Sequence, residues 1–136
     1  MTSEVHRIRL RDPWEVSVGE SAEWSRTDLD SAWARFGGRP AGRVRFRRRF
    51  SRPSGLEPGD EVRLVIEAPV VSGTVVLNGN VLGVVEPSEF PAEFAVGDRL
   101  QDGNLLEVDV VTAETDASDL PAGPWKLVVL EIRPAP

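Results

Sequence analysis

The chain is 136 residues long, 40% hydrophobic and 28% charged, enough length and apolar content for one domain with a real core. Its formal net charge of −6 argues against a general nucleic-acid binder, because phosphate contacts need Lys or Arg gathered on one face. It has no cysteine, which removes disulfides, thiol catalysis and thiolate metal sites together.

Residues 1–10 are charged throughout and lack the apolar run of a secretory signal. No stretch is long enough to span a membrane, so the chain reads as a single cytoplasmic domain over residues 1–136. Its ends, up to Glu4 and from Pro134, are expected to fray. Strands are expected at 5–10 and at 14–18, where Trp14, Val16 and Val18 alternate with Glu15 and Ser17. The segment 19–40 has no strand alternation. Residues 28–36 suit a short helix, capped by Thr27 or Asp28 and stopped by Gly37-Gly38, with Leu29, Trp33 and Phe36 at helical spacing. Further strands are expected at 43–51, 61–68, 73–78, 81–86, 94–96, 105–112 and 125–133. The last has apolar residues on both faces, as a centrally placed strand would. Asn78-Gly79-Asn80 predicts a tight hairpin flanked by Leu77 and Val81. Short strands of period two, separated by Pro/Gly turns, specify an all-β fold, an antiparallel β-sandwich. Leu64, Ile66, Val108, Val110 and Leu130 should lie in its core.

Several motifs occur in a telling order. Phe46-Arg47-Arg48-Arg49-Phe50 comes first, then the strand 62–67, then the Asn-Gly hairpin. Pro91-Ala92-Glu93-Phe94 follows, and then Gly103-Asn104-Leu105-Leu106-Glu107-Val108. Over residues 40–133 this resembles the non-catalytic sugar-binding domain of family 2 glycoside hydrolases, the beta-galactosidase and beta-glucuronidase family. The chain departs from that pattern at Gly123-Pro124-Trp125-Lys126, where the family carries a Gly-Ile-x-Arg run. The resemblance implies a jelly-roll sandwich of the galactose-binding type. It also implies a chain that is not an enzyme. The family's catalytic carboxylates sit on a barrel of roughly 250 residues, more than this sequence holds.

Read for chemistry, the sequence offers little catalytic machinery. The lone His6 shares strand parity with Ile8 and Leu10 and is expected to be a half-buried strand residue, with no Gly-x-Ser-x-Gly to serve. No His/Asp/Glu cluster has transition-metal spacing, no Gly-rich phosphate loop occurs, and no cofactor is expected. Asp109, Glu114, Asp116 and Asp119 are either oxygen ligands for Ca²⁺ or a solvated acidic loop, and the second is preferred. Arg43, Arg45, Arg47 and Arg49 share one strand face. They form a site for an anionic sugar or an acidic partner, or an outer face paired with Glu61, Glu67, Glu107 or Asp109. The paired face is preferred. Arg48 shares the other face with Phe46 and Phe50, so its guanidinium should be largely buried against a carboxylate or backbone carbonyls.

Indole faces stack on the C–H faces of sugar rings when exposed. Trp14 and Trp125 fall on strands and are expected in the core, while Trp24 and Trp33 lie in the irregular segment with Phe36. The candidate ligand-binding residues are therefore Trp24, Trp33, Phe36 and Arg47. Two readings stay open: a carbohydrate-binding-like module, or a protein-interaction or self-associating sandwich without a sugar ligand. Neither nucleic acid nor membrane is an expected partner.

Overall fold

Period-two alternation becomes strand almost wherever it occurs. The computed structural model describes residues 5–11, 14–19, 23–27, 38–39, 42–67, 69, 72–88, 90–112, 115–116, 125 and 127–134. Within these residues, one sheet has four strands in the order β1 (His6–Arg9), β12 (Leu127–Arg133), β6 (Glu61–Glu67), β9 (Ala92–Ala95). The facing sheet has six, in the order β3 (Ser25–Thr27), β2 (Trp14–Val18), β5 (Gly42–Ser51), β10 (Gly103–Thr112), β7 (Gly73–Leu77), β8 (Asn80–Val85). A short pair joins β4 (Gly38–Arg39) to β11 (Thr115–Asp116), and every pairing is antiparallel. The protein is an antiparallel jelly-roll sandwich, and its one described helical turn is the 3₁₀ turn Gly97–Arg99. The expected helix at 28–36, with Trp33 and Phe36, lies outside the described residues.

The core lies between the two inner faces. Leu64, Ile66, Val108, Val110 and Leu130 are all buried in it, as their parity requires. Phe46 and Trp14 project from the six-stranded sheet onto Trp125. The Phe46 and Trp125 centroids are 5.3 Å apart in an edge-on contact, and those of Trp14 and Trp125 are 5.9 Å apart. Trp125 stands just before β12 rather than on a strand. Trp14 Nε1 donates to the Leu10 carbonyl at 3.2 Å, whereas Trp125 Nε1 is buried with no hydrogen-bond partner among the described residues. Trp14→Phe is therefore expected to cost about 1 kcal/mol more than Trp125→Phe in urea unfolding, the value of one buried hydrogen bond. A larger loss at Trp125 would contradict this account of the aromatic cluster.

The Asn-Gly hairpin forms, one residue tighter than expected. Asn78 and Gly79 both take positive φ, 52° and 82°, as a type I′ turn demands. Leu77 pairs with Asn80, so Asn80 rather than Val81 closes the turn. Val81 pairs with Val76 beside a bulge. Gly83 has a separate reason to be glycine. A Cβ there would lie 2.9 Å from Phe94 Cε1, so the missing side chain lets β8 of one sheet and β9 of the other meet at the sandwich edge.

Other expectations need correction. His6 is exposed, not half-buried, because β1 is an edge strand and only Ile8 turns partly inward. Arg48 is half-buried rather than largely buried. Its parity is inward, but it lies near the open end of β5, where Phe50 is also only partly covered. Its Nε donates to the Arg11 carbonyl at 2.7 Å and its Nη1 to the Arg49 carbonyl. The strands β3, β4 and β11 were not expected, since two or three residues show no period.

Candidate functional site

The two outer faces of the sandwich carry charge very differently. On the four-stranded sheet the odd residues form a compensated grid. Arg7 lies 2.7 Å from Glu67 and 3.7 Å from Glu131, and Glu131 also lies 2.7 Å from Arg133. Arg63 reaches Glu61 at 2.7 Å and Glu93 at 3.8 Å. Val65 and Val129 are buried beneath this charged layer, which accounts for the apolar character of β12 on both faces.

The outer face of the six-stranded sheet carries the arginine stripe of β5. Its register sets Asp109 of β10 opposite Arg45 and diagonal to Arg43, and sets Arg47 opposite Glu15 of β2; direct and diagonal cross-strand neighbours of opposite charge pair readily. The Arg43 guanidinium grips Asp109 as a fork, with Nε 2.9 Å from Oδ1 and Nη2 2.6 Å from Oδ2. That use of Asp109 removes it from the calcium ligands considered above. Glu114 and Asp119 lie outside the described residues, and no group of three potential metal ligands occurs among the described residues. Arg47 Nε lies 3.1 Å from Glu15 Oε1. The stripe is thus paired in part. Asp109 is one of the expected partners and Glu15 is not.

Trp24 lies on this same face, just before β3. It is half-buried, and the Arg47 guanidinium carbon stands 3.9 Å from its ring centroid, with that of Arg45 5.0 Å away. Two of the four expected site residues, Trp24 and Arg47, are therefore in direct contact. Trp33 and Phe36 lie outside the described residues. Where Trp24 sits follows from strand order. The residues just before β3 fall beside β2, and β5 is the next strand in, so its guanidiniums reach across to the indole.

Glu15, Arg26, Arg47, Arg48 and Arg49 line a shallow depression of about 310 Å³. The hydrogen bond from Arg47 holds the Glu15 carboxyl below the ordinary carboxylate range, with the fields of Arg49 and Arg26 adding to the effect. Glu15 is therefore ionised at neutral pH and committed to Arg47. A larger depression, about 610 Å³, lies beyond Arg49 and is bounded by Ser51, Asn78, Gln101 and Leu105.

A clasp that sequence reading did not anticipate forms the floor of the larger depression. The buried Asn104 side chain makes four hydrogen bonds. Its Oδ1 accepts from the Gln101 amide at 2.8 Å and from Asn78 Nδ2 at 3.0 Å. Its Nδ2 donates to the carbonyls of Gln101 at 2.9 Å and Phe50 at 3.3 Å. Asn78 Oδ1 in turn accepts from the Leu105 amide at 2.8 Å. The Asn of the hairpin and the Asn of the Gly-Asn turn thereby tie together the end of β5, the β7–β8 turn and the start of β10. The sequence signal was present in the motif order, but as a fold marker and not as a contact.

No family model matches the sequence, and no curated protein matches it. Solved structures do match its fold. A beta-glucuronidase from Bifidobacterium dentium, complexed with coumarin-3-O-glucuronide, superposes with a TM-score of 0.76 at 18% identity. That match covers 99% of this chain and 31% of the other. An FMN-binding beta-glucuronidase from Faecalibacterium prausnitzii gives 0.75 at 22% identity, over 96% of this chain and 23% of the other. A putative beta-galactosidase from Bacteroides fragilis gives 0.71 at 17%, over 94% and 23%. The chain shares its fold with a portion of these glycosidases. It spans about a quarter to a third of their length, and the likeness accords with the motif order read from the sequence.

Proposed function

We propose that this chain is a non-catalytic carbohydrate-binding-like module that takes its ligand on the outer face of the six-stranded sheet. The observation that carries the proposal is the contact of Trp24 with Arg47 on an open face, beside a shallow charged depression. An indole supplies an apolar plane for a sugar's C–H groups, and guanidiniums supply donors for its oxygens. Fold likeness to a portion of named glycosidases supports the same reading by analogy. The non-catalytic part rests on the carboxylates. Glycoside hydrolysis uses two of them set roughly 5–10 Å apart across the scissile bond. Among the described residues, Glu15 is the one carboxylate that lines the smaller depression, and it is held by Arg47.

A second reading has an observation of its own. β8 is an edge strand, and its Val81 and Val84 are 62% and 63% exposed, which suits pairing with a protein or a second copy. A glycan array with the purified chain, run beside its solution mass, separates the two. The carbohydrate reading expects array binding that weakens in Trp24→Ala while the melting temperature changes little. An empty array with a dimeric mass would replace it with the interaction reading.

A further inference from the structure

The two depressions described above share one wall, the exposed Arg49 side chain. We propose that together they form a single elongated site for an acidic oligosaccharide, with the Arg49 guanidinium at its middle. This rests on the carbohydrate-binding reading and names its ligand class. Each depression falls within the size range of small-ligand sites, roughly 300–1,000 Å³. They lie side by side because Arg49 of β5 pairs in register with Leu105 of β10, and Leu105 lines the larger depression.

Charge selects the ligand class. The smaller depression is lined by Glu15 and by Arg26, Arg47, Arg48 and Arg49, in a chain whose net charge is −6. Glu15 pairs with Arg47. Arg48, of inward parity, spends its guanidinium on the carbonyls of Arg11 and Arg49. Arg49 forms no ion pair among the described residues. The Glu15 carboxyl is held down first by the Arg47 hydrogen bond, and the positive fields of Arg49 and Arg26 add to that effect. A ligand carboxylate or sulfate entering here meets the same field, and a guanidinium fork fits either group. On the compensated face of the other sheet no such field is available.

The larger depression supplies complementary chemistry for the uncharged part of the ligand. Ser51 and Gln101 are exposed on its rim and present a hydroxyl and an amide, while half-buried Phe50 presents an apolar surface. Its floor is rigid because the amides of Asn78 and Asn104 are spent on the clasp. A rigid polar cradle next to a cationic one suits a chain of hydroxylated rings bearing acidic groups.

The test is calorimetric titration of the purified chain with four probes of matched length: a neutral oligosaccharide, an oligogalacturonate, a sulfated oligosaccharide and an oligoglutamate. The oligogalacturonate, the sulfated probe or both should bind about tenfold or more tightly than the neutral probe, and Arg49→Glu should remove that advantage. The two acidic arms tell carboxylate from sulfate. Arg9→Glu makes the same charge change on the opposite outer face and should leave binding unchanged. Melting curves of both variants check that they fold. Equal binding of neutral and acidic sugars, or full affinity in Arg49→Glu, overturns this inference and leaves the carbohydrate reading intact. Oligoglutamate binding as tightly as the acidic sugars overturns it in favour of an acidic protein. Silence from every sugar overturns both.

Discussion

Phe46→Ala should lower the unfolding free energy by about 3–5 kcal/mol, the cost of emptying a fully packed aromatic site. Phe46 has no solvent exposure and is centred in its sheet, paired with Val16 of β2 on one side and Val108 of β10 on the other. Its ring meets the Trp125 edge at 5.3 Å. Truncation therefore removes both the transfer energy of the ring and its contact with the opposite layer. The backbone on either side is held by two complete ladders, so it cannot close the gap. Domains are stable by only about 5–15 kcal/mol, so the loss is a large share of the total. Urea unfolding should show a lower midpoint at an unchanged slope. A loss below about 1 kcal/mol would mean that Trp125 moves in to fill the site, and that the two sheets are not held apart as described.

Asn104→Asp should cost nearly as much, about 3–4 kcal/mol at neutral pH, by a different mechanism. The Nδ2 group of Asn104 points at two carbonyl oxygens, those of Gln101 and Phe50. A carboxylate has no proton to give them and would set negative charge against both in a buried position. Burial and the facing carbonyls raise the folded-state pKa of the introduced acid. The destabilisation is therefore full above that raised pKa and shrinks as pH falls through it, when the group regains an O–H donor. Asn104→Ala removes the same bonds without adding charge, so its cost should not vary with pH in this way. Melting temperatures of both variants across acid and neutral pH separate the cases. A pH-independent difference between the two would show that the position is open to water.

Much of the fold was legible in local sequence. The alternation in β2, β6 and β10 has a period that only a strand satisfies, and burial follows it residue by residue through Leu64, Ile66, Val108 and Val110. Asn78-Gly79 announced its turn because few residues accept positive φ. The short strands β3, β4 and β11 gave no such signal. They are strands only because a longer strand, or each other, lies alongside.

The candidate site was legible in part. Trp24 and Arg47 were both singled out, but for separate reasons: one as an aromatic in an irregular segment, the other as a member of a cationic stripe. That they touch depends on β3 lying beside β2 and β2 beside β5, which no window of sequence contains. Arg48 shows the opposite limit. Its parity was read correctly as inward, yet parity does not say how near the sandwich end a residue falls, and there the inner face is half open.

The sequence by itself determined the strands, the main hairpin, the identity of the core residues and the all-β class. Each depends on the steric and hydrophobic preferences of neighbouring residues. Tertiary structure alone decided what the polar residues do. Asn104 became a clasp through partners 26 and 54 residues away, and Asp109 became a partner of Arg43 across 66 residues. Strand register, not composition, made one outer face a grid of ion pairs and paired Arg43 and Arg47 on the other while Arg49 forms no ion pair among the described residues. Apolar residues carry their instruction locally, since any buried surface satisfies them. A polar group is defined by the particular atom it meets, and only the folded chain brings that atom within reach.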